Sequence, residues 1–254
     1  YVRWSPDSKN IAYLIDTWDA NNGYYYPKVR VSDTFGNRRE IFDMTSYGTY
    51  FEWLNNEKIV VSMPSDIYNW TETLWLIDAS GAGNHIKLSN DIREISISKD
   101  RQSIAFSAFV NDTAYLNISD INGNINTIHE FKSTNQGYSP EISNIIWSPD
   151  SIKIAFIEED MAGEVDGGGE GGTVLSRNLV IVDVKTGKKA AFAMPYQFSI
   201  AGQLAGWMSD NVSIIGWDRD INGHSIFTIN SLTGEAVTII PDVNGIDNDG
   251  EILS

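Results

Sequence analysis

Trp147-Ser148-Pro149-Asp150-Ser151-Ile152-Lys153-Ile154-Ala155-Phe156 decides the fold of this chain, because it repeats Trp4-Ser5-Pro6-Asp7-Ser8-Lys9-Asn10-Ile11-Ala12-Tyr13. In each copy a proline fixes φ, an aspartate can accept backbone N–H groups, and a small polar residue completes a tight turn. The Ile-Ala-aromatic run that follows reads as a buried strand. Three weaker copies align with them: Trp53-Leu54-Asn55-Asn56-Glu57-Lys58-Ile59-Val60-Val61, Ile97 to Phe106, and Trp207 to Gly216. The anchors Trp4, Trp53, Ile97, Trp147 and Trp207 are 49, 44, 50 and 60 residues apart.

Each unit has a second half. A short apolar run ends in Asp or Asn, and a glycine follows: Asp33 with Gly36, Asp78 with Gly81, Asp120 with Gly123, Asp183 with Gly187, and Asn230 with Gly234. This element predicts a hairpin, with glycine supplying φ > 0. A last strand follows every glycine. Four short strands in a period of roughly 40–60 residues predict an all-β chain, a β-propeller of about five four-stranded blades. The blades fall near 1–42, 50–88, 94–131, 142–192 and 204–240. Residues 241–254 form a tail or the start of a further blade. The large anchor residue of each unit is expected between adjacent blades. Two readings stay open, a closed five-bladed ring and part of a larger propeller; the abrupt start at Tyr1 is read as a fragment or processed product.

The Trp-Ser-Pro-Asp-Ser-x-x-Ile-Ala-[Tyr/Phe] segments resemble the repeats of TolB-type, WD-like propellers. They also resemble the N-terminal propellers of the prolyl oligopeptidase and dipeptidyl peptidase group. The glycine usual after the aspartate is Ser8 and Ser151 here, a departure that alters turn preference and not fold. The resemblance implies a propeller architecture and a periplasmic or cell-surface location; it does not imply a chemistry.

Composition narrows the function. With 18 Lys and Arg against 34 Asp and Glu, the formal net charge is -16. Long-range repulsion then opposes nucleic acid and anionic lipid. With no cysteine, disulfides, thiolate catalysis and thiolate metal sites are excluded. No run reaches the roughly 18 apolar residues of a membrane helix, so no membrane insertion is expected. Gly-x-Ser-x-Gly, phosphate-loop and dinucleotide patterns are absent. His85, His129 and His224 lie in different units, outside any zinc motif.

Binding residues favour loops on a rigid scaffold. The long segments between the second and third strands, and between units, carry Trp18, Tyr24, Tyr25, Tyr26, Tyr68, Trp70, Tyr138 and Tyr196. These aromatics either cover the blade edges or form a contact patch. A further loop is read as mobile and acidic, with Glu158, Glu159, Asp160, Glu164, Asp166 and Glu170 beside the glycine run Gly167–Gly172. Asp218-Arg219-Asp220-Ile221-Asn222-Gly223 matches the first half of a calcium loop, with Asp218, Asp220 and Asn222 as oxygen donors. Its twelfth position is Ile229, and a plain hairpin accounts for the same residues. Asn69, Asn111, Asn117 and Asn211 begin glycosylation sequons. The leading expectation is a non-catalytic scaffold of TolB-like type, binding protein or an envelope polymer through the aromatic face. The first alternative is the propeller of a serine peptidase whose hydrolase domain lies outside this chain. The second is a propeller enzyme acting on glycans.

Overall fold

The computed structural model describes residues 2–19, 23–44, 50–64, 72–133, 138–162, 174–194, 203–220 and 223–240. All its elements are strands. The first sheet is β1 (Val2–Trp4), β2 (Asn10–Asp19), β3 (Tyr24–Asp33) and β4 (Arg38–Asp43), antiparallel and in sequence order. Next come β5 (Tyr50–Trp53), β6 (Lys58–Pro64), β7 (Glu72–Asp78) and β8 (Ile86–Ile97). They are followed by β9 (Ser103–Val110), β10 (Thr113–Asp120) and β11 (Ile125–Lys132). Because β8 is unbroken, β5 to β11 are hydrogen-bonded in sequence order. The last two sheets are β12 (Tyr138–Trp147), β13 (Lys153–Ala162), β14 (Val174–Asp183) and β15 (Lys189–Ala193), then β16 (Gln203–Trp207), β17 (Ser213–Asp220), β18 (Gly223–Asn230) and β19 (Ala236–Ile240). No helix of the described residues is long and apolar enough to cross a membrane.

The chain divides into two compact units. One holds Tyr1–Arg93, Arg101–Ile104 and Ile118–Asn126; the other holds Glu94–Asp100, Ala105–Asn117 and Thr127–Ser254. The first has a core of Ala12, Val29, Val31, Ile41, Phe51, Trp53, Ile59, Val61 and Ile77. These are alternate residues of neighbouring sheets, the packing that period-two patterning predicts. The second has a matching cluster of Ala155, Ile157, Leu179, Ile181, Leu204, Ile214, Phe227 and Ile229.

The turn chemistry is as the repeat predicts. The Ser5, Ser98 and Ser148 hydroxyls donate to Asp7, Asp100 and Asp150 at 2.7, 2.6 and 2.6 Å. Asp150 then accepts the Ile152 N–H at 3.0 Å, and Asp210 accepts Val212 and Ser213 at 2.9 and 2.8 Å. Four residues at the fourth position after an anchor, Ser8, Arg101, Ser151 and Asn211, are left-handed, with φ of 60°, 58°, 57° and 56°. In the second hairpins Gly36, Gly81, Gly123, Gly187 and Gly234 all have positive φ.

The anchors are not equivalent. Trp53 and Trp147 are 0% and 3% exposed, and Trp207 is half-buried. Each indole N–H donates to the carbonyl one residue before the preceding anchor: Trp53 to Arg3 at 3.1 Å, Trp147 to Ser96 at 3.1 Å, Trp207 to Ile146 at 3.3 Å. Trp4 corrects the expectation of four buried wedges. It is 59% exposed, and no described residue is shown accepting its indole N–H. Ile97 cannot donate at all. Nearby, the Arg101 guanidinium bonds the carbonyl of the preceding anchor itself, Trp53, at 2.5 Å and stands 3.8 Å from Glu52.

Candidate functional site

The aromatic segment of the first sheet is built on strands and is no loop. β1 pairs with β2 only at Ile11–Tyr13, and β4 pairs with β3 at Lys28–Ser32. Beyond those registers the pairs Thr17–Tyr26, Trp18–Tyr25 and Asp19–Tyr24 bond only one another among the described residues. The result is a two-stranded arm. Trp18 and Tyr25 face each other across it with ring centroids 5.0 Å apart, inclined at 60°. They remain 53% and 58% exposed. Large aromatic rings held on a paired backbone present contact area at little entropic cost, which suits protein recognition. Tyr24 and Tyr26 occupy β3, and Tyr138 opens β12 opposite Ala162. Tyr68, Trp70 and Tyr196 lie outside the described residues.

The acidic segment divides into two. Gly163 to Thr173 lies outside the described residues, but Glu158, Glu159 and Asp160 do not belong to a loop. They continue β13, in register with Asn178, Arg177 and Ser176 of β14. Glu159 and Asp160 are buried and Glu158 nearly so. Glu158 accepts a 2.7 Å hydrogen bond from His129 of β11, and Glu159 is paired with Arg177. Period-two alternation sends neighbouring carboxylates to opposite faces, where Glu158 meets His129 and Glu159 meets Arg177, each from another strand. Three acids in a row read as a solvated loop only while those partners are out of view.

The His129 ring also packs 5.1 Å from Phe156, while its Nδ1 is buried without a partner. Asn117 is buried and accepts from Thr127 at 2.7 Å, which makes it a poor glycan acceptor in the folded chain. The calcium-like segment is a hairpin in backbone terms: Asp218 and Asp220 end β17 with Asp220 opposite Gly223, and Asn222 falls outside the described residues. A similar oxygen-rich segment expected from the sequence, Asp247-Asn248-Asp249-Gly250-Glu251, lies outside them too. Among the described residues no three His, Asp or Glu side chains converge as a metal site would require.

Sequence reading alone missed a charged cluster on β1 and β5. Arg3 donates to Glu52 at 3.1 Å, and Arg101 approaches the same carboxylate. Burial first, then the Glu52 charge, push the neighbouring Tyr50 phenol up to about 12. It therefore stays neutral at physiological pH and is poorly placed to act as a base. Burial likewise raises the Glu94 carboxyl, against the bonds it accepts from the Ile145 and Asn144 backbone. These groups join one sheet to the next, and their arrangement provides no nucleophile beside a general base.

The solved structures that share this fold include a β-propeller domain. The fold is propeller-like. A eukaryotic initiation factor matches with a TM-score of 0.60 at 13% identity, over 94% of this chain and 55% of its own. The β-propeller domain of the trilobed protease from Pyrococcus furiosus matches at 0.56 and 13%, over 94% and 69%. Dipeptidyl peptidase 4 from Porphyromonas gingivalis matches at 0.57 and 12%, over 98% and 40%. The propeller-like chain thus spans between two fifths and about seven tenths of the length of these matches. No family model matches it, and no curated protein does.

Proposed function

We propose that this chain is a non-catalytic, peptidase-associated propeller domain, with the hydrolytic machinery elsewhere in its protein. The observation that carries the reading is how the chain's polar side chains are employed. Ser and Asp hold turns, Trp53, Trp147 and Trp207 bond the preceding sheet, and His129, Arg177 and Arg101 pair with carboxylates or carbonyls. Two of the structures that share the fold, the trilobed protease and dipeptidyl peptidase 4, are peptidases. The repeat itself resembles the propellers of that group. The test is an active-site serine probe, a fluorophosphonate. The parent protein should be labelled and residues 1–254 alone should not. Labelling of the isolated chain, or a parent protein that resists the probe, would overturn the proposal.

A second reading, a TolB-like scaffold that binds protein outside the cytoplasm, is favoured by the Trp18–Tyr25 arm. On that reading Trp18→Ala with Tyr25→Ala abolishes capture of a protein partner while leaving the melting temperature unchanged. Capture that survives the double substitution would remove the arm from the reading. The repeat's resemblance carries the periplasmic or surface location, which cell fractionation checks.

A further inference from the structure

The face of the first sheet that packs on the second continues past the point where that packing ends. Leu14, Asp16 and Trp18 of β2 stand opposite Val29, Pro27 and Tyr25 of β3, and period-two alternation puts all six on one face. Leu14 and Val29 belong to the core shared with β5 and β6. Pro27 is buried, whereas Asp16, Trp18 and Tyr25 are exposed. The arm thus carries the core face outward as an aromatic pair, with a carboxylate two residues before the indole.

The charge of this face is one-sided. From Asn10 to Pro27 the chain has Asp16 and Asp19 but no lysine or arginine. The next cations of the sheet are engaged, Lys28 with Glu40 and Asp43, and Arg30 with Glu40. Among the described residues no ion pair takes up Asp16. Elsewhere the chain lays its own cations on indoles. Lys87 Nζ stands 5.5 Å from the centre of the Trp75 ring, and Lys153 Nζ 5.8 Å from that of Trp207. Trp18 offers the same surface to a group from outside.

We propose that the arm binds an arginine side chain on an extended segment of a partner protein, which rests on the protein-binding reading of the same arm. The guanidinium stacks on the Trp18 indole, and its N–H groups fork onto the Asp16 carboxylate, one strand repeat of about 7 Å away. Arginine fits both halves because its planar cation stacks and donates at once. A lysine ammonium is a compact point charge and cannot stack in this way. Tyr25, inclined at 60° to the indole, supports it from across the arm. The net charge of -16 draws a basic segment in from a distance and repels an acidic one.

Nuclear magnetic resonance of the whole chain with isotope-labelled tryptophan reads the site directly, since the Trp18 indole signal is the one missing from Trp18→Phe. The probe is a tri-arginine peptide amide, with tri-lysine and tri-glutamate as counterparts. Tri-arginine should move the Trp18 signal saturably, tri-lysine less, and tri-glutamate not at all. Asp16→Asn should weaken tri-arginine binding roughly two- to fivefold, the range of an exposed ion pair. Asp112→Asn removes the same charge from an exposed turn of another sheet and should leave the binding as it is. A Trp18 signal that tri-arginine does not move overturns the proposal. So does an equal response to tri-lysine, or equal weakening by the two asparagine substitutions. Capture of a protein partner that Trp18→Ala with Tyr25→Ala abolishes, but Asp16→Asn leaves intact, would overturn the arginine proposal and keep the protein-binding reading.

Discussion

Replacing Ser8 or Ser151 by glycine changes the same turn position in two sheets, yet the outcomes should differ. Both residues are left-handed, with φ of 60° and 57°. A side chain in that region costs about 1–2 kcal/mol, which glycine removes. Glycine also loses roughly 0.5–1 kcal/mol more backbone entropy on folding. The net effect of relief alone is a stabilisation of about 0.5–1 kcal/mol. Ser8 makes no other side-chain contact among the described residues, so Ser8→Gly should show that gain. The Ser151 hydroxyl accepts the Asp100 N–H at 3.0 Å. Losing that bond costs about 0.5–1.5 kcal/mol, which cancels or reverses the relief. Urea unfolding at low protein concentration should therefore move the midpoint up for Ser8→Gly. For Ser151→Gly it should leave the midpoint in place or lower it, with the slope unchanged in both. Asn211→Gly should follow Ser151→Gly, since its side chain accepts from Asp150. Equal upward shifts in all three would refute the capping role and leave only backbone relief.

Trp147→Ala and Trp53→Ala should each cost about 3–5 kcal/mol, because each removes a buried indole and its bond. Trp4→Ala should stay within about 0.5 kcal/mol of the parent in dilute solution; thermal melts that rank the three alike would contradict the exposure of Trp4. Arg101→Ala keeps the β-carbon and hence the backbone strain, so its loss of about 1 kcal/mol reads the guanidinium bond to Trp53 together with the approach to Glu52, discounted for partial solvent access; an unchanged melt would show that neither contact stabilises the fold. The turn aspartates make stability depend on pH. Backbone and side-chain bonds from Thr186 hold Asp183 below the ordinary range, and bonds from Ser213 and Val212 do the same for Asp210. A carboxylate depressed on folding contributes fully above its unfolded value of about 3.9 and loses that contribution as pH falls through its folded value. Glu94 has the opposite sign: its raised folded value makes it increasingly unfavourable as pH climbs past about 4.3. Asp183→Asn should flatten the acid limb of a melting profile, and Glu94→Gln should raise the melting temperature at pH 7 but not at pH 4; equal shifts at both pH values would remove burial as the cause.

The turns and anchors were legible because their chemistry is local. Ser-Pro-Asp, the aspartate three or four residues before a glycine, and the apolar run between them satisfy one another within a few positions. Features that depend on a partner from elsewhere in the chain were not legible. Ser89-Asn90-Asp91 has a turn composition, yet it runs through the middle of β8. Pairing with β7 as far as Ile92 overrides the local preference. Glu158 to Asp160 read as a loop for the same reason, since His129 and Arg177 come from other strands. The aromatic arm has a loop-like composition, yet its residues lie on the paired strands β2 and β3. By sequence Trp18 and Tyr25 read as an irregular excursion, because their cross-strand pairing depends on a register that no local signal specifies.

The site with Ile97 shows how the interface bears on sequence reading. Trp53, Trp147 and Trp207 each perform two tasks, filling space between sheets and donating one hydrogen bond. Where the anchor is isoleucine these tasks separate. Ile97 can fill space but has no polar hydrogen, and a buried carbonyl left without a donor costs on the order of 1–3 kcal/mol. A donor to the adjacent Trp53 carbonyl comes from Arg101, four residues later, at the left-handed position that Ser8, Ser151 and Asn211 hold in other sheets. At Ser151 and Asn211 that position aims a side chain at the preceding sheet, and at Arg101 it aims one at the strand that carries Trp53. Serine and asparagine there accept an N–H, and arginine there donates to a carbonyl. A glycine would be easier on the backbone but could do neither. The departure from glycine at this turn is therefore part of how neighbouring sheets recognise one another.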